Sequence, residues 1–219
     1  MNIIQTWKDD NLPEIYKAYS DQIKLYNPEW NYMFFTDNDI IRFIQDKMPE
    51  HYNSFKHFKH KIQQLDYFRY LVIYYYGGVY IDLDVKILDS LNDLYYNNPE
   101  MCKFPVELTN ITDTIITRQG FTNLIGNYAF YAPPKHPFIK NIIDNIDAHR
   151  IHDDDIKLAQ SENMDPPSHV YVYCTTGPLL VTQTYIDDSN LVELLTPTPM
   201  IHNCFGTYGY HLSHGTWKT

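Results

Sequence analysis

Glycine is scarce in this sequence, and basic residues are few. Only 8 of the 219 residues are glycine, whereas 44% are hydrophobic and 16% are aromatic. This composition is typical of a packed globular chain and excludes a fibrous or disordered one. The 17 basic side chains stand against 27 acidic ones, which gives a net charge of -10. Because nucleic-acid-binding surfaces need clustered lysine and arginine, we expect no nucleic acid partner.

Cysteine pairs and long apolar runs are also missing. Cys102, Cys174 and Cys204 are far apart in the sequence, so they form no short metal-binding pair and are expected to be reduced thiols. No run of 18 apolar residues is present, and residues 1–8 lack the basic and apolar segments of a secretion signal. From these features we expect no transmembrane segment and a cytoplasmic location.

The first half of the chain alternates between strand-like and helix-like patterns. β-Branched and aromatic residues predict strands, and apolar residues at helical spacing predict helices. The predicted elements are strands at 2–7 and 30–35, helices at 14–26 and 38–47, one long helix at 55–76 and a strand at 79–85. This order predicts an α/β fold with helices on both faces of a sheet, whose ligands bind beyond the carboxyl ends of the strands.

The second half of the chain is less regular. It predicts sheet at 121–132, a helix at 137–149, a loop or lid at 151–169 and a strand at 170–173. The loop prediction rests on the high content of Asp, Asn and Pro in that segment.

Asp82 and Asp84 interrupt an otherwise apolar predicted strand. Side chains at i and i+2 of a strand point to the same side, so the two carboxylates are expected to share one face. An isolated Asp-x-Asp is usually a solvated strand edge. Here Val79, Ile81 and Val85 indicate a buried strand, where adjacent anions repel each other unless a cation neutralises them. Such a pair suits Mg²⁺ or Mn²⁺.

Asp66 and Arg69 lie three residues apart on the predicted long helix and share one face beside its apolar stripe. Spacing alone favours an ordinary surface ion pair, worth about 0.3 to 0.5 kcal/mol. The alternative is that the pair holds the hydroxyl groups of a polar ligand.

Residues 211–217 are polar and aromatic where an element of secondary structure would be apolar. The imidazole of His211 or His214 can complete a metal shell of oxygen and nitrogen atoms. A frayed terminus is the alternative. Trp7, at the end of the first predicted strand, can stack on a flat base or can belong to the core.

Several segments together resemble the glycosyltransferases of family 32, which include fungal initiating α-1,6-mannosyltransferases and bacterial capsular-sugar transferases. The matching segments are Ile3–Lys8, Tyr26–Trp30, Gln64–Tyr70, Tyr76–Asp84, Asn127–Pro137, Thr176–Pro178 and His211–Trp217, of which Tyr76–Asp84 is the most diagnostic. The resemblance implies a GT-A fold, a Rossmann-like single domain of residues 1–219 with a mixed central sheet flanked by helices. It also implies a divalent metal, Mn²⁺ or Mg²⁺. The implied reaction moves a hexose from a UDP- or GDP-sugar, with retention of configuration, to a glycan, lipid or protein-linked acceptor.

The resemblance implies roles for individual residues as well. Asp84 resembles the family's metal ligand, and Asp82 resembles its residue that contacts the donor or the metal. His211 resembles the family's carboxyl-terminal ligand. The implied catalytic residues are Asp66, Arg69, Asp82 and Asp84. The implied contacts to the sugar nucleotide are Thr6, Trp7, Asp66, Arg69, Asp82, Asn127, His214 and Trp217.

Two other functions fit the same carboxylates. One is a catalytically silent paralogue that binds sugar nucleotides, and the other is a metal-dependent phosphohydrolase. The second is less favoured, because such hydrolases usually gather more carboxylates and histidines than this sequence shows.

Overall fold

The structure is a computed structural model that describes residues 1–112, 117, 120–196 and 203–215. Within these ranges the strands are β1 (Asn2–Thr6), β2 (Asn31–Phe35), β3 (Gly78–Ile81), β4 (Val85–Ile87), β5 (Cys102–Leu108), β6 (Leu124–Ile125), β7 (Ala129–Ala132), β8 (Val192–Leu195), β9 (Cys204–Phe205) and β10 (Gly209–His211). The helices are α1 (Glu14–Tyr26), α2 (Asp37–Lys47), α3 (Tyr52–His57), α4 (Lys61–Tyr76), α5 (Asn92–Tyr96), α6 (Pro137–Asp147), α7 (Asp153–Glu162), α8 (Pro167–Thr175) and α9 (Pro178–Asp187), with a 3-10 turn at Pro49–His51.

Seven strands of the described ranges form a mixed central sheet. Their order is β2-β1-β3-β7-β5-β6, and β8 lies beside β5. β1 is parallel to β2 and β3, whereas β7 is antiparallel to β3 and β5. A smaller antiparallel sheet contains β4, β10 and β9 in that order. The predicted fold class, an α/β domain with a mixed central sheet flanked by helices, is confirmed.

The central strands are buried on both faces. Ile4 and Tyr80 pack with α4 in one apolar cluster, whereas Ile3 and Val79 pack in a second cluster on the other side of the sheet. Ile3 pairs with Val79 and Ile4 with Tyr80, so the parallel strands β1 and β3 end at the same edge. This edge is where a ligand site is expected in an open α/β sheet.

Two glycines allow α4 and β3 to approach their neighbours closely. Gly77 ends α4 with a φ of +66°, and Gly78 follows with a φ of +118°, both in the left-handed region. A Cβ on Gly78 would lie 2.2 Å from the carbonyl oxygen of Asn2, and one on Gly77 would lie 2.5 Å from Cδ of Pro134. Neither position has room for a side chain.

Asp82 and Asp84 lie in a turn, so the predicted strand at 79–85 was wrong in its second half. β3 ends at Ile81, and the amide of Val85 donates a hydrogen bond of 3.1 Å to the carbonyl of Asp82. This bond closes a four-residue turn. The chain then enters β4, which pairs with β10 in the smaller sheet. The turn, and not strand alternation, brings the two carboxylates together.

The long helix predicted at 55–76 is interrupted before α4. α3 ends at His57, and Phe58 is extended. The amide of His60 donates to the side chain of Gln63 at 3.0 Å, while the His60 carbonyl accepts from the Gln63 amide at 3.1 Å. This reciprocal cap begins a new helix. Apolar periodicity alone continues across the break and does not reveal it.

The loop predicted at 151–169 and the strand predicted at 170–173 were both wrong, because α7 and α8 occupy this segment. The three aspartates 153–155 stand in the first turn of α7, where negative charge stabilises a helix. Pro167 is the first residue of α8, where the N–H that proline lacks would have no partner within the helix. The polar composition therefore marks helix starts.

The remaining predicted elements are present with small shifts. Helices α1, α2 and α6 agree with their predictions within two residues. The predicted sheet at 121–132 is present as two short strands, β6 and β7. None of the helices in the described ranges combines the length and apolar character needed to cross a bilayer.

Candidate active site

A cavity of about 530 Å³ lies beyond the carboxyl ends of β1 and β3. Of the ten predicted site residues, eight line it: Thr6, Trp7, Asp66, Arg69, Asp82, Asp84, Asn127 and His211. His214 lies beside the cavity, and Trp217 lies outside the described residues. The apolar part of the lining includes Ile62, Leu65, Leu108, Leu124, Met164 and Leu179. The lining therefore combines charged and polar side chains with aliphatic ones.

Asp82, Asp84 and His211 form a compact group of possible metal ligands. One donor atom from each residue lies within 4.8 Å of the others. His211 ends β10 and pairs with Val85, the first residue after the turn, so its imidazole stands beside the two aspartates. Its Nε2 lies 3.2 Å from Oδ1 of Asp84. The antiparallel pairing of β4 and β10 thus joins residues from two distant parts of the chain.

The group carries a surplus of negative charge. Burial raises the pKa of the Asp82 carboxyl, against the opposing charge of Arg69. Burial acts in the same direction on Asp84, but the hydrogen bond and charge of His211, together with backbone hydrogen bonds that include the His214 amide, outweigh it, so the pKa of Asp84 is lowered. For His211, burial would lower the pKa, yet Asp84 raises it overall. One imidazole balances two carboxylates only in part.

This donor set fits a divalent cation. Carboxylate oxygens and an imidazole nitrogen are ligands that Mn²⁺ accepts, and the carboxylates alone suit Mg²⁺. The second ring nitrogen of His211, Nδ1, is buried and has no hydrogen-bond partner within the described ranges. The ring is therefore not committed to another polar group through that atom.

Arg69 is a buried cation between two carboxylates. Its Nη2 lies 3.2 Å from Oδ1 of Asp66 and 3.5 Å from Oδ1 of Asp82. Its Nη1 donates to the carbonyl of Asn127 at 2.6 Å, and its guanidinium lies 4.7 Å from the ring centre of Tyr80. Only 4% of the Arg69 side chain is exposed. The surface ion pair that spacing alone favoured is therefore excluded.

Asp66 is held by neutral donors as well as by Arg69. Thr176 donates to its Oδ2 at 2.8 Å, and the amide of Asn127 donates to its Oδ1 at 3.1 Å. The same Asn127 amide donates to the hydroxyl of Tyr70 at 2.9 Å. Burial raises the pKa of Asp66 to about 6, although Arg69, Thr176 and Asn127 all act to lower it.

The raised pKa of Asp66 predicts a pH-dependent contribution to stability. The folded chain binds the proton more tightly than the unfolded chain, whose value is 3.8, so the free energy of unfolding falls as pH rises from about 4 to about 6. We expect the wild-type chain to lose up to about 3 kcal/mol over this window relative to Asp66→Asn, which cannot titrate. Urea unfolding of both proteins without added metal measures the difference. A difference that stays constant across the window contradicts the prediction.

Trp7 belongs to a small aromatic cluster at the cavity rim. Its ring meets that of Tyr16 edge-on at 5.3 Å, and the Tyr16 hydroxyl lies 3.1 Å from Nδ1 of His214. The amide of His214 donates to Oδ2 of Asp84 at 2.9 Å. Trp7 Nε1 is buried and has no partner within the described ranges. The cluster links the end of β1 to the turn that carries Asp84.

Sequence reasoning missed Tyr80 and Tyr16 as parts of this site. Tyr80 donates to Oδ1 of Asp82 at 2.8 Å, and its hydroxyl lies 3.4 Å from that of Thr6. Tyr80 was read only as a strand residue, although its place two positions before Asp82 was a usable signal. Tyr16 gave no signal, because its contact with His214 joins opposite ends of the chain.

Comparison with known sequences supports this arrangement. Residues 13–100 match the family described as "Glycosyltransferase sugar-binding region containing DXD motif". The chain is 32% identical to inositol phosphoceramide mannosyltransferase 1 of Schizosaccharomyces pombe over 153 residues, which cover 66% of this chain and 41% of that protein. It is 35% identical to mannosyl phosphorylinositol ceramide synthase SUR1 of Saccharomyces cerevisiae over 144 residues, which cover 66% of this chain and 34% of that protein. The chain spans less than half the length of these relatives.

A solved structure shares the fold. The structure titled "PaToxG Glycosyltransferase" superimposes with a TM-score of 0.52 at 16% identity, covering 87% of this chain and 72% of that one. At this identity the likeness concerns the fold alone. That fold is the GT-A arrangement that the resemblance predicted.

Proposed function

We propose that this chain transfers a sugar from a nucleoside diphosphate to a hydroxyl group of an acceptor, because residues 13–100 match the glycosyltransferase family whose sugar-binding region contains a DXD motif. The observation that carries this proposal is the convergence of Asp82, Asp84 and His211 with Arg69 at one cavity. A cavity of about 530 Å³ has the size of a small-molecule site.

We further propose that Asp82, Asp84 and His211 hold Mn²⁺ or Mg²⁺. When bound, the cation supplies Lewis-acid stabilisation of the negative charge that develops on the leaving diphosphate. The lowered pKa of Asp84 supports this role, because the carboxylate then stays ionised at neutral pH.

Asp66 and Arg69 are proposed to orient the donor sugar and its phosphate. The Nε of Arg69 is buried and has no hydrogen-bond partner in the described ranges, so the contacts with Asp66, Asp82 and Asn127 hold the guanidinium through its two terminal nitrogens. Thr176 and Asn127 hold the Asp66 carboxylate in one orientation. Fixed charges of this kind act through positioning and electrostatic stabilisation, because they need no reorganisation during the reaction.

The proposed reaction proceeds with retention of configuration. The bond between the anomeric carbon and the diphosphate oxygen breaks, and a bond from that carbon to the acceptor oxygen forms on the same face. The departing phosphate oxygen takes the proton of the acceptor hydroxyl, so no side chain has to act as a base. The one-bond carbon–proton coupling at the anomeric carbon of the product, measured by NMR, distinguishes retention from inversion.

The acceptor is proposed to be a glycolipid or another hydroxyl-bearing lipid. The two relatives described above are named for inositol phosphoceramide and mannosyl phosphorylinositol ceramide, which are lipids. The aliphatic residues of the lining support a similar acceptor here, since they offer apolar contacts in the same cavity as the polar site. Met164, between α7 and α8, is fully exposed, and Leu108 is 45% exposed. Exposed apolar side chains at the mouth of a polar site suit an amphipathic ligand.

Replacing Met164 by serine is expected to weaken the use of a lipid acceptor. Covering a methionine side chain with an alkyl chain contributes about 1 to 2 kcal/mol, so kcat/KM for a long-chain acceptor should fall about fivefold to thirtyfold. The value for a short acceptor with the same headgroup should not change. Leu25→Ser is the matched control, because Leu25 is 75% exposed on α1, outside the cavity lining. If Met164→Ser lowers kcat/KM equally for the long-chain and the short acceptor, a lipid-binding role of Met164 is contradicted.

The overall proposal is tested with a panel of UDP- and GDP-sugars, Mn²⁺ and candidate acceptors. We expect release of free UDP or GDP that depends on the acceptor, stops in excess chelator and returns with added Mn²⁺. Nucleotide binding in calorimetry without any release would instead identify a silent sugar-nucleotide-binding paralogue. Release of inorganic phosphate or sugar phosphate would identify a phosphohydrolase.

A further inference from the structure

Tyr128 contacts the proposed metal site through two groups and a neighbouring strand through a third. Its ring stacks on the imidazole of His211, with 4.4 Å between ring centres and an angle of 20° between planes. Its backbone carbonyl accepts a hydrogen bond of 2.7 Å from the amide of Asp82. Its hydroxyl donates to the carbonyl of Cys204 at 3.0 Å. Tyr128 is 3% exposed and is one of the residues that line the cavity.

The stacking of Tyr128 on His211 fixes the plane of the imidazole, which a hydrogen bond usually does. A histidine that binds a metal normally donates its second ring nitrogen to a carboxylate or carbonyl, which fixes the plane of the ring. Here Nδ1 of His211 has no such partner within the described ranges. The large surface that holds the imidazole plane is therefore the ring of Tyr128.

The hydroxyl of Tyr128 acts on the strand pair that carries His211. Cys204 belongs to β9, which pairs with β10, and His211 is the last residue of β10. Tyr128 is the residue before Ala129, where β7 begins. Its hydrogen bond to the Cys204 carbonyl therefore joins the β9–β10 pair to the start of β7. The carbonyl of Tyr128 anchors the turn with Asp82 at the same time.

The ring of Tyr128 has little freedom to move. A Cβ added to Gly126 would lie 2.6 Å from Cε1 of Tyr128, closer than real Cβ contacts. The backbone of Gly126 therefore packs directly against the edge of the Tyr128 ring. The ring is confined between this backbone and the imidazole of His211.

We propose that Tyr128 is a positioning residue that sets the imidazole plane of His211 for the divalent cation. The proposal rests on the metal role given above to Asp82, Asp84 and His211. The hydroxyl of Tyr128 donates to the Cys204 carbonyl and its own carbonyl accepts from the Asp82 amide, so the proposal gives Tyr128 an orienting role and not that of a ligand.

The test measures Mn²⁺ affinity from the electron paramagnetic resonance signal of free Mn²⁺. We expect Tyr128→Leu to weaken binding about tenfold or more, the effect typical of losing a residue that orients a ligand. Tyr128→Phe keeps the ring and should stay within about threefold of wild type. Pulsed measurements should show nitrogen coupling from His211 in the wild-type chain and in Tyr128→Phe, but a reduced coupling in Tyr128→Leu.

A double-variant comparison shows whether Tyr128 acts through His211. If it does, Tyr128→Leu should add little to the loss caused by His211→Ala, whereas independent roles give additive losses. Tyr131→Leu is the matched control: Tyr131 is 2% exposed, and its hydroxyl also donates to a backbone carbonyl, that of Pro99 at 2.9 Å. It should destabilise the chain without changing Mn²⁺ affinity.

Two results would overturn the proposal: unchanged Mn²⁺ affinity in Tyr128→Leu, or additivity with His211→Ala. If Tyr128→Leu does not fold, Gly126→Ala displaces the same ring and should weaken Mn²⁺ binding, and wild-type affinity in that variant would also refute the role. Absence of Mn²⁺ binding in the wild-type chain would instead refute the metal assignment, and this inference would fail with it.

Discussion

Replacing Asp84 by alanine is expected to lower the rate of sugar transfer by about 10³-fold or more while the chain keeps its fold. Losing the cation ligand removes stabilisation of the leaving diphosphate, and a factor of this size corresponds to about 4 kcal/mol. The fold should survive, because the change also relieves the repulsion between Asp84 and Asp82. It does remove the acceptor for the amide of His214 and the partner of His211.

Two further variants separate these effects. Asp84→Asn keeps an oxygen that can accept the His214 amide but loses the negative charge, so we expect it to be almost as inactive as Asp84→Ala. Asp89→Ala removes an exposed carboxylate shortly after β4 and should transfer sugar at the wild-type rate. Rates are compared under saturating Mn²⁺ and donor, with circular dichroism as the check on folding. Wild-type turnover by Asp84→Ala under these conditions would refute the site.

Replacing Arg69 by alanine is expected to lower the free energy of unfolding by about 3 to 5 kcal/mol and to abolish transfer. The substitution leaves Asp66 and Asp82 without the cation that lies 3.2 and 3.5 Å from them. Breaking a buried ion pair costs this much because the remaining charge is neither solvated nor paired. The carbonyl of Asn127 also loses its donor.

Arg42 offers a close control for this experiment. Arg42 and Asp39 have the same i, i+3 spacing at 3.5 Å, but their side chains are 71% and 39% exposed. Arg42→Ala should therefore cost less than about 0.5 kcal/mol in urea unfolding. Adding Asp66→Asn to Arg69→Ala should recover part of the lost stability, since one stranded charge is removed. If Arg69→Ala and Arg42→Ala lower the free energy of unfolding equally, burial does not determine how much the ion pair of Arg69 contributes to stability.

The order of elements near the amino terminus was predictable because each one follows from nearby residues. The helix after Pro13 ends where Asn27 and Pro28 stop it, and the two glycines after Tyr76 end α4. Such signals are local, since the backbone conformation of proline and glycine depends on the residue itself. The errors at 151–173 have a local cause too: aspartate and proline occur both in loops and at helix starts, and composition does not distinguish the two.

The site was predictable in its residue types and not in its geometry. Nearby residues were enough to show that Asp82 and Asp84 follow an apolar segment and that Asp66 and Arg69 belong to the preceding helix. The three-dimensional structure was needed to show that Arg69 is buried between Asp66 and Asp82, that the two acids lie in a turn, and that His211 joins them. Burial and strand pairing depend on residues far apart in the chain, so neither can be read from a short segment. The pattern of residues in a short segment does not show that β10 pairs with β4. It therefore does not show that His211, on β10, lies beside the two aspartates.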